Sequence, residues 1–101
     1  MAGRIAVISE HASPLAATGG RDAGGRNVCV AHTAKALARL GYEVDVFTRR
    51  DDEALPAIVE WQPHVRVVHV DAGPARFVRE EDLLPHMSRF ADRVVALAKL
   101  E

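Results

Sequence analysis

Near the amino end lie four unbroken apolar residues, Ile5-Ala6-Val7-Ile8, and a second β-branched run, Glu43-Val44-Asp45-Val46-Phe47-Thr48, follows a helix-patterned segment. A short apolar run rich in β-branched residues is the pattern of a strand buried on both faces, as in a parallel sheet. Between the two runs, Val28, Ala31, Ala34, Leu37 and Ala38 recur at helical spacing while His32, Lys35 and Arg39 fall on another face. The segment closes at Leu40-Gly41, where glycine suits a left-handed helix end. Strand, helix, strand in that order is a β-α-β unit, and a parallel pair joined through a helix commits the chain to an α/β sheet.

The rest of the chain extends that unit. Ile58-Val59-Glu60-Trp61 predicts a minor strand, Gln62-Pro63-His64 a turn, and Val65 to Val70 a third main strand closed by Gly73-Pro74. Leu83, Met87, Phe90, Val94 and Leu97 form one stripe with Leu84, Ala91, Val95 and Ala98 beside it, which predicts an amphipathic helix over 80–100. Proline is tolerated only in a first turn, so either this helix begins near Pro85 or a short acidic turn at Glu80-Glu81-Asp82 precedes a kink. The expected fold is α/β, a Rossmann-like parallel sheet of three strands with flanking helices. A further strand is expected after the last helix, so residues 1–101 read as one incomplete domain at the start of a larger protein.

A chain of 101 residues holds one small core, burying ~60 to 70% of its unfolded surface. A formal net charge of −1 excludes the strongly basic face of a general nucleic-acid binder. No apolar run approaches the ~20 residues of a membrane span, and Ile5 to Ile8 is too short for a signal-peptide core. The single cysteine, Cys29, forbids an internal disulfide and is expected as a small buried helix residue. A cytoplasmic protein acting on small molecules is the class these features leave.

Its candidate chemistry starts at Asp22-Ala23-Gly24-Gly25-Arg26-Asn27, at the entrance of the helix-patterned segment and after a long loop over residues 10 to 24. A glycine pair there lets backbone amides approach a ligand, and the first amides of a helix lack internal partners and carry the positive end of its dipole, a combination that suits an anion. More than ten residues separate the glycines from the first strand, which fails the dinucleotide fingerprint, and Arg26-Asn27 stands where a P-loop carries Lys-Ser/Thr. The plainer alternative is a loop turn. His11 falls beyond the first strand, at the carboxyl edge where open α/β sheets bind ligands, although a histidine bonded to a backbone carbonyl would look the same in sequence. Arg49-Arg50 could reach an anion on that edge or form a solvated pair answered by Asp51-Asp52, and Arg79 taken alone is a surface arginine. His32, Cys29, His64, His69 and His86 show no metal-ligand spacing, so no metal and no cofactor are expected.

Taken together, Arg4-Ile-Ala-Val-Ile-Ser-Glu-His11, Ser13-Pro14-Leu15, Asp22-Ala-Gly-Gly-Arg-Asn-Val28, Ala36-Leu-Ala-Arg-Leu-Gly-Tyr-Glu-Val-Asp-Val-Phe-Thr-Arg49 and Ala72-Gly-Pro74 resemble the amino-terminal domain of family 4 retaining glycosyltransferases of the GT-B fold. Within that family the resemblance is to the sucrose-phosphate synthase branch and to the branch that builds mycothiol from an inositol phosphate. It implies a partial amino-terminal half-domain whose partner, a carboxyl-terminal nucleotide-sugar domain, faces it across a cleft, with no metal required. By position it implies that Gly24 and Gly25 lie at the donor diphosphate, and that His11, Asp22, Ala23, Gly24, Arg26 and Asn27 line the acceptor pocket. Arg79 matches a basic position, more often lysine, that grips the acceptor phosphate. Cys29 stands where tyrosine is frequent, and Ala16-Ala17 replaces a more polar loop.

The expected function is transfer of a sugar, with retention, from a UDP- or GDP-linked donor to a small phosphorylated acceptor, with these 101 residues inactive by themselves. The alternative is a stand-alone nucleotide or sugar-phosphate binding module without catalysis. A structural subunit that forms a homo-oligomer through an exposed sheet edge is the third reading.

Overall fold

The computed structural model describes residues 3–10, 25–76 and 78–99, with 25–27 and 80 described by their backbone alone. The element order is β1 (Arg4–Ile8), α1 (Gly25–Arg39), β2 (Glu43–Arg49), β3 (Ile58–Gln62), β4 (Val65–Val70), a 3₁₀ turn (Glu80–Asp82) and α2 (Leu84–Ala98). The strands form one four-stranded sheet in the order β1-β2-β4-β3. β1 pairs with β2 and β2 with β4 in parallel, Val7 facing Val46 and Val46 facing Val67. β3 runs antiparallel to β4, as the two-residue connection at Pro63-His64 requires, since a parallel pair needs a long crossover. His64 takes the positive φ of that turn, at 68°.

Side-chain alternation along β2 and β4 divides the core between the two faces of the sheet. On one face Val44, Val46, Val65 and Val67 pack with Ala34 of α1, and Val30, Leu37 and Ala38 border the cluster. On the other Phe47, Val68, Val70 and Ala72 pack with Phe90 of α2, bordered by Met87, Val94 and Leu97. The two helices therefore cover opposite faces. The α2 stripe is the one expected from its spacing, whereas Leu84 and Val95 on the flanking stripe are 80% and 54% exposed.

Two details differ from the sequence-based expectation, and two more go beyond it. β1 alternates exposed and half-buried residues instead of being buried on both sides, and among the described strands it lies at the edge of the sheet, separated by β2 from β4, against which α2 packs. Cys29 is exposed, being two residues from the buried Ala31 and so on the far side of α1. Pro85 sits within the first turn of α2, and the acidic 3₁₀ turn precedes it, so the two alternatives for this region are both partly realised. Asp45, one of the acids alternating with apolar residues along β2, is 2% exposed. Its carboxylate accepts from Arg4 Nη1 at 3.0 and 3.1 Å, and from Arg66 Nε and Nη2 at 2.9 and 3.1 Å. One carboxylate thus ties the three parallel strands together.

Candidate functional site

The connection after α1 fixes at which edge of the sheet that helix begins. Gly41, at φ 99°, ends the helix, the amides of Gly41 and Tyr42 return to the carbonyls of Ala38 and Leu37, and the Glu43 amide bonds the Gly3 carbonyl at 3.1 Å. The end of α1 therefore lies at the amino edge of the sheet. A 15-residue helix running back along the strands, at about 1.5 Å per residue, puts its first residue, Gly25, at the carboxyl edge. Of the expected site residues, His11, Asp22, Ala23 and Gly24 lie outside the described residues, and Gly25, Arg26 and Asn27 open α1.

The strand ends at this edge are knitted by backbone bonds. The Ser9 amide reaches Phe47 O at 2.9 Å, Arg49 N reaches Glu10 O at 3.3 Å, and Arg50 N reaches Val70 O at 2.8 Å. From the end of β4 the chain turns through Asp71 to Arg76 towards α2. There a cleft of about 380 Å³ is lined by Pro74, Arg76, Val78, Arg79, Asp82 and His86. Gly73, at φ +76°, lies against α2 so closely that a Cβ there would fall 2.6 Å from His86 Nδ1. Glycine is required on both counts.

Arg79 stands in the wall of this cleft, two-thirds exposed, with Nε donating to Asp82 at 2.9 Å and Nη1 3.5 Å from Glu81. The hydrogen bond to Asp82, aided by the charges of Asp82 and Glu81, raises its pKa above the ordinary arginine value. It is a permanent cation that an incoming anion would share with two carboxylates.

Arg49 is not a solvated residue. At 5% exposure it lies on the α2 face of β2 and reaches under the turn after β4. Nη1 donates to the carbonyls of Ala72 at 3.2 Å and Pro74 at 2.6 Å, and Nη2 to that of Arg76 at 2.5 Å. Burial lowers its pKa, with Asp51 opposing that shift and Arg76 adding to it. Its neighbour Arg50 pairs with Asp71, 3.1 Å away, rather than with Asp51-Asp52. The sequence marked Arg49 as a candidate for the sheet edge, but its acceptors are backbone carbonyls 23 to 27 residues away, which no local pattern announces. His86 and Arg76 carried no sequence signal of their own. Among the described residues no group of three or more His, Cys, Asp or Glu side chains could hold a metal ion.

Residues 24–101 match the model of the glycosyl transferase 4-like domain. The chain belongs to that family. The chain is similar to glycosyltransferases of this family named D-inositol 3-phosphate glycosyltransferase: 42% identical to that of Corynebacterium kroppenstedtii over 98% of this chain and 22% of the relative, and 46% identical to that of Actinosynnema mirum over 91% and 22%. Among solved structures, sucrose-phosphate synthase from Thermosynechococcus elongatus superposes with a TM-score of 0.87 at 36% identity, covering 95% of this chain and 24% of that one. The glycosyl transferase 4-like chain thus spans about a fifth of the length of the relatives it matches. The GT-B resemblance read from the motifs agrees with both comparisons, and no helix among the described residues is long and apolar enough to cross a membrane.

Proposed function

We propose that this chain is the amino-terminal, acceptor-side part of a cytoplasmic glycosyltransferase that moves a sugar, with retention, from a UDP- or GDP-linked donor to D-inositol 3-phosphate or a close phosphorylated analogue. The observation that carries the reading is the 42 to 46% identity, over nearly the whole chain, to enzymes named for that acceptor. A cleft after β4 that carries Arg76 and Arg79 beside Asp82 supports it. In this reading Arg79 takes the acceptor phosphate, exchanging part of its pairing with Asp82 and Glu81 for a charge-assisted, bidentate contact that lysine could not make. His11, Asp22, Ala23, Gly24, Arg26 and Asn27 line the acceptor pocket.

The chemistry follows from charge. Breaking the sugar–diphosphate bond leaves negative charge on the departing phosphate, and fixed amides at a helix start stabilise it without reorganising during the reaction. The amides of Gly24 and Gly25 are assigned that task, with the remaining stabilisation supplied by a carboxyl-terminal domain of the same protein. No metal or cofactor enters the step.

The test is sugar transfer by the complete protein, assayed with UDP- and GDP-sugars against D-inositol 3-phosphate and against unphosphorylated inositol. Transfer to the phosphorylated acceptor, with the anomeric configuration kept by NMR, is the expected result. Equal use of both acceptors would remove the phosphate assignment, and robust turnover by the 101-residue chain alone would remove the two-domain reading.

A further inference from the structure

We propose that Arg49 is a positioning residue for the acceptor, a buried strut whose guanidinium holds the turn between β4 and α2 in the shape that places Arg76 and Arg79 on the cleft. The argument begins with cost. Removing a guanidinium from water is unfavourable unless its donors are met, and here they are met by the carbonyls of Ala72, Pro74 and Arg76 at 3.2, 2.6 and 2.5 Å. These belong to a short irregular segment that lacks the ladder of a helix or strand. A planar fork with donors in fixed directions specifies where several acceptors must lie at once. The base of the fork is rigid, because β2 is the central strand, paired on both sides by β1 and β4.

The strut acts on the cleft through very little intervening chain. Pro74 and Arg76 line the cleft and supply two of the clamped carbonyls, and Arg79 follows three residues beyond the last of them. Between them Val78 is buried at 8% exposure. On the opposite side His86 closes against Gly73. The turn is therefore held from beneath by β2 and from the side by α2, while Arg79, the residue assigned to the phosphate, is itself exposed.

The proposal rests on the acceptor assignment above, and its test separates the two. In the complete protein, Arg49→Met and Arg49→Lys are compared with Arg79→Ala by amide hydrogen exchange over residues 72–79 and by separate KM values for D-inositol 3-phosphate and for the sugar donor. For Arg49→Met, exchange across 72–79 should rise by about tenfold or more. Its acceptor KM should rise about tenfold while kcat and donor KM stay within about twofold, with Arg49→Lys intermediate because its ammonium meets fewer of the carbonyls. Unchanged exchange over 72–79, or a parallel rise in both KM values, overturns the proposal. If Arg49→Met fails to fold, Arg49→Lys decides by the same two readouts. Faster exchange in the Arg49 variants together with an unchanged acceptor KM in Arg79→Ala would leave the strut in place and overturn the phosphate assignment, and with it the link from strut to acceptor.

Discussion

At the scale of single residues, the carboxylate of Asp45 is held by two arginines across three strands. Replacing it by alanine removes the carboxylate that Arg4 and Arg66 share. Because their side chains keep 40% and 25% exposure, water screens part of the penalty, and the expected loss is about 1–3 kcal/mol in urea unfolding of the protein. Arg79→Ala should raise KM for a phosphorylated acceptor about tenfold and leave an unphosphorylated one unchanged, as measured by initial rates. Gly25→Val should raise the donor KM selectively, because its Cβ branches would occupy the approach to the first amides of α1. These side chains differ in how far sequence could place them. The glycine pair stood out through its place before α1 and Arg79 only through the family resemblance, whereas the burial of Asp45 depends on cations 41 and 21 residues away. Alternation of acids with β-branched residues along β2 gave no sign that this strand is central.

Among the elements, α1 and α2 were legible because each carries one apolar stripe at helical spacing, and Gly41 ends α1 where a left-handed residue is needed. β3 was legible as a strand but its direction came from the turn, and Pro63-His64 is not the asparagine-glycine signature that marks a tight hairpin in sequence. The connection from β4 to α2 was seen only as a stop at Gly73-Pro74, yet it forms the cleft. Gly73→Ala tests how tightly that connection seats on its helix. The left-handed backbone alone should cost about 1–2 kcal/mol, and the added methyl must push the His86 ring aside. The expected readout is a lowered unfolding midpoint together with a displaced His86 ring resonance, and a midpoint equal to the parent would mean the turn is loosely seated.

For the molecule as a whole, the sheet has two different rims. β3 carries a register irregularity between Glu60 and Gln62, a device that twists an edge away from further pairing. β1 is regular along its pairing with β2 and leaves Ile8 53% exposed. Prepared alone, the 101-residue chain should self-associate with rising concentration in sedimentation experiments, and Ile8→Lys should suppress this. Association unaffected by Ile8→Lys would locate the contact elsewhere. The clamp beneath the β4–α2 turn has one more consequence. None of the described peptide bonds is cis, and a trans peptide carries its N–H opposite its C=O. With the Ala72 and Pro74 carbonyls turned inward to Arg49, the amides of Gly73 and Ala75 point their hydrogens the other way. The buried cation thus orients a pair of peptide dipoles positive end outward, giving the turn an electropositive outer surface made of main chain.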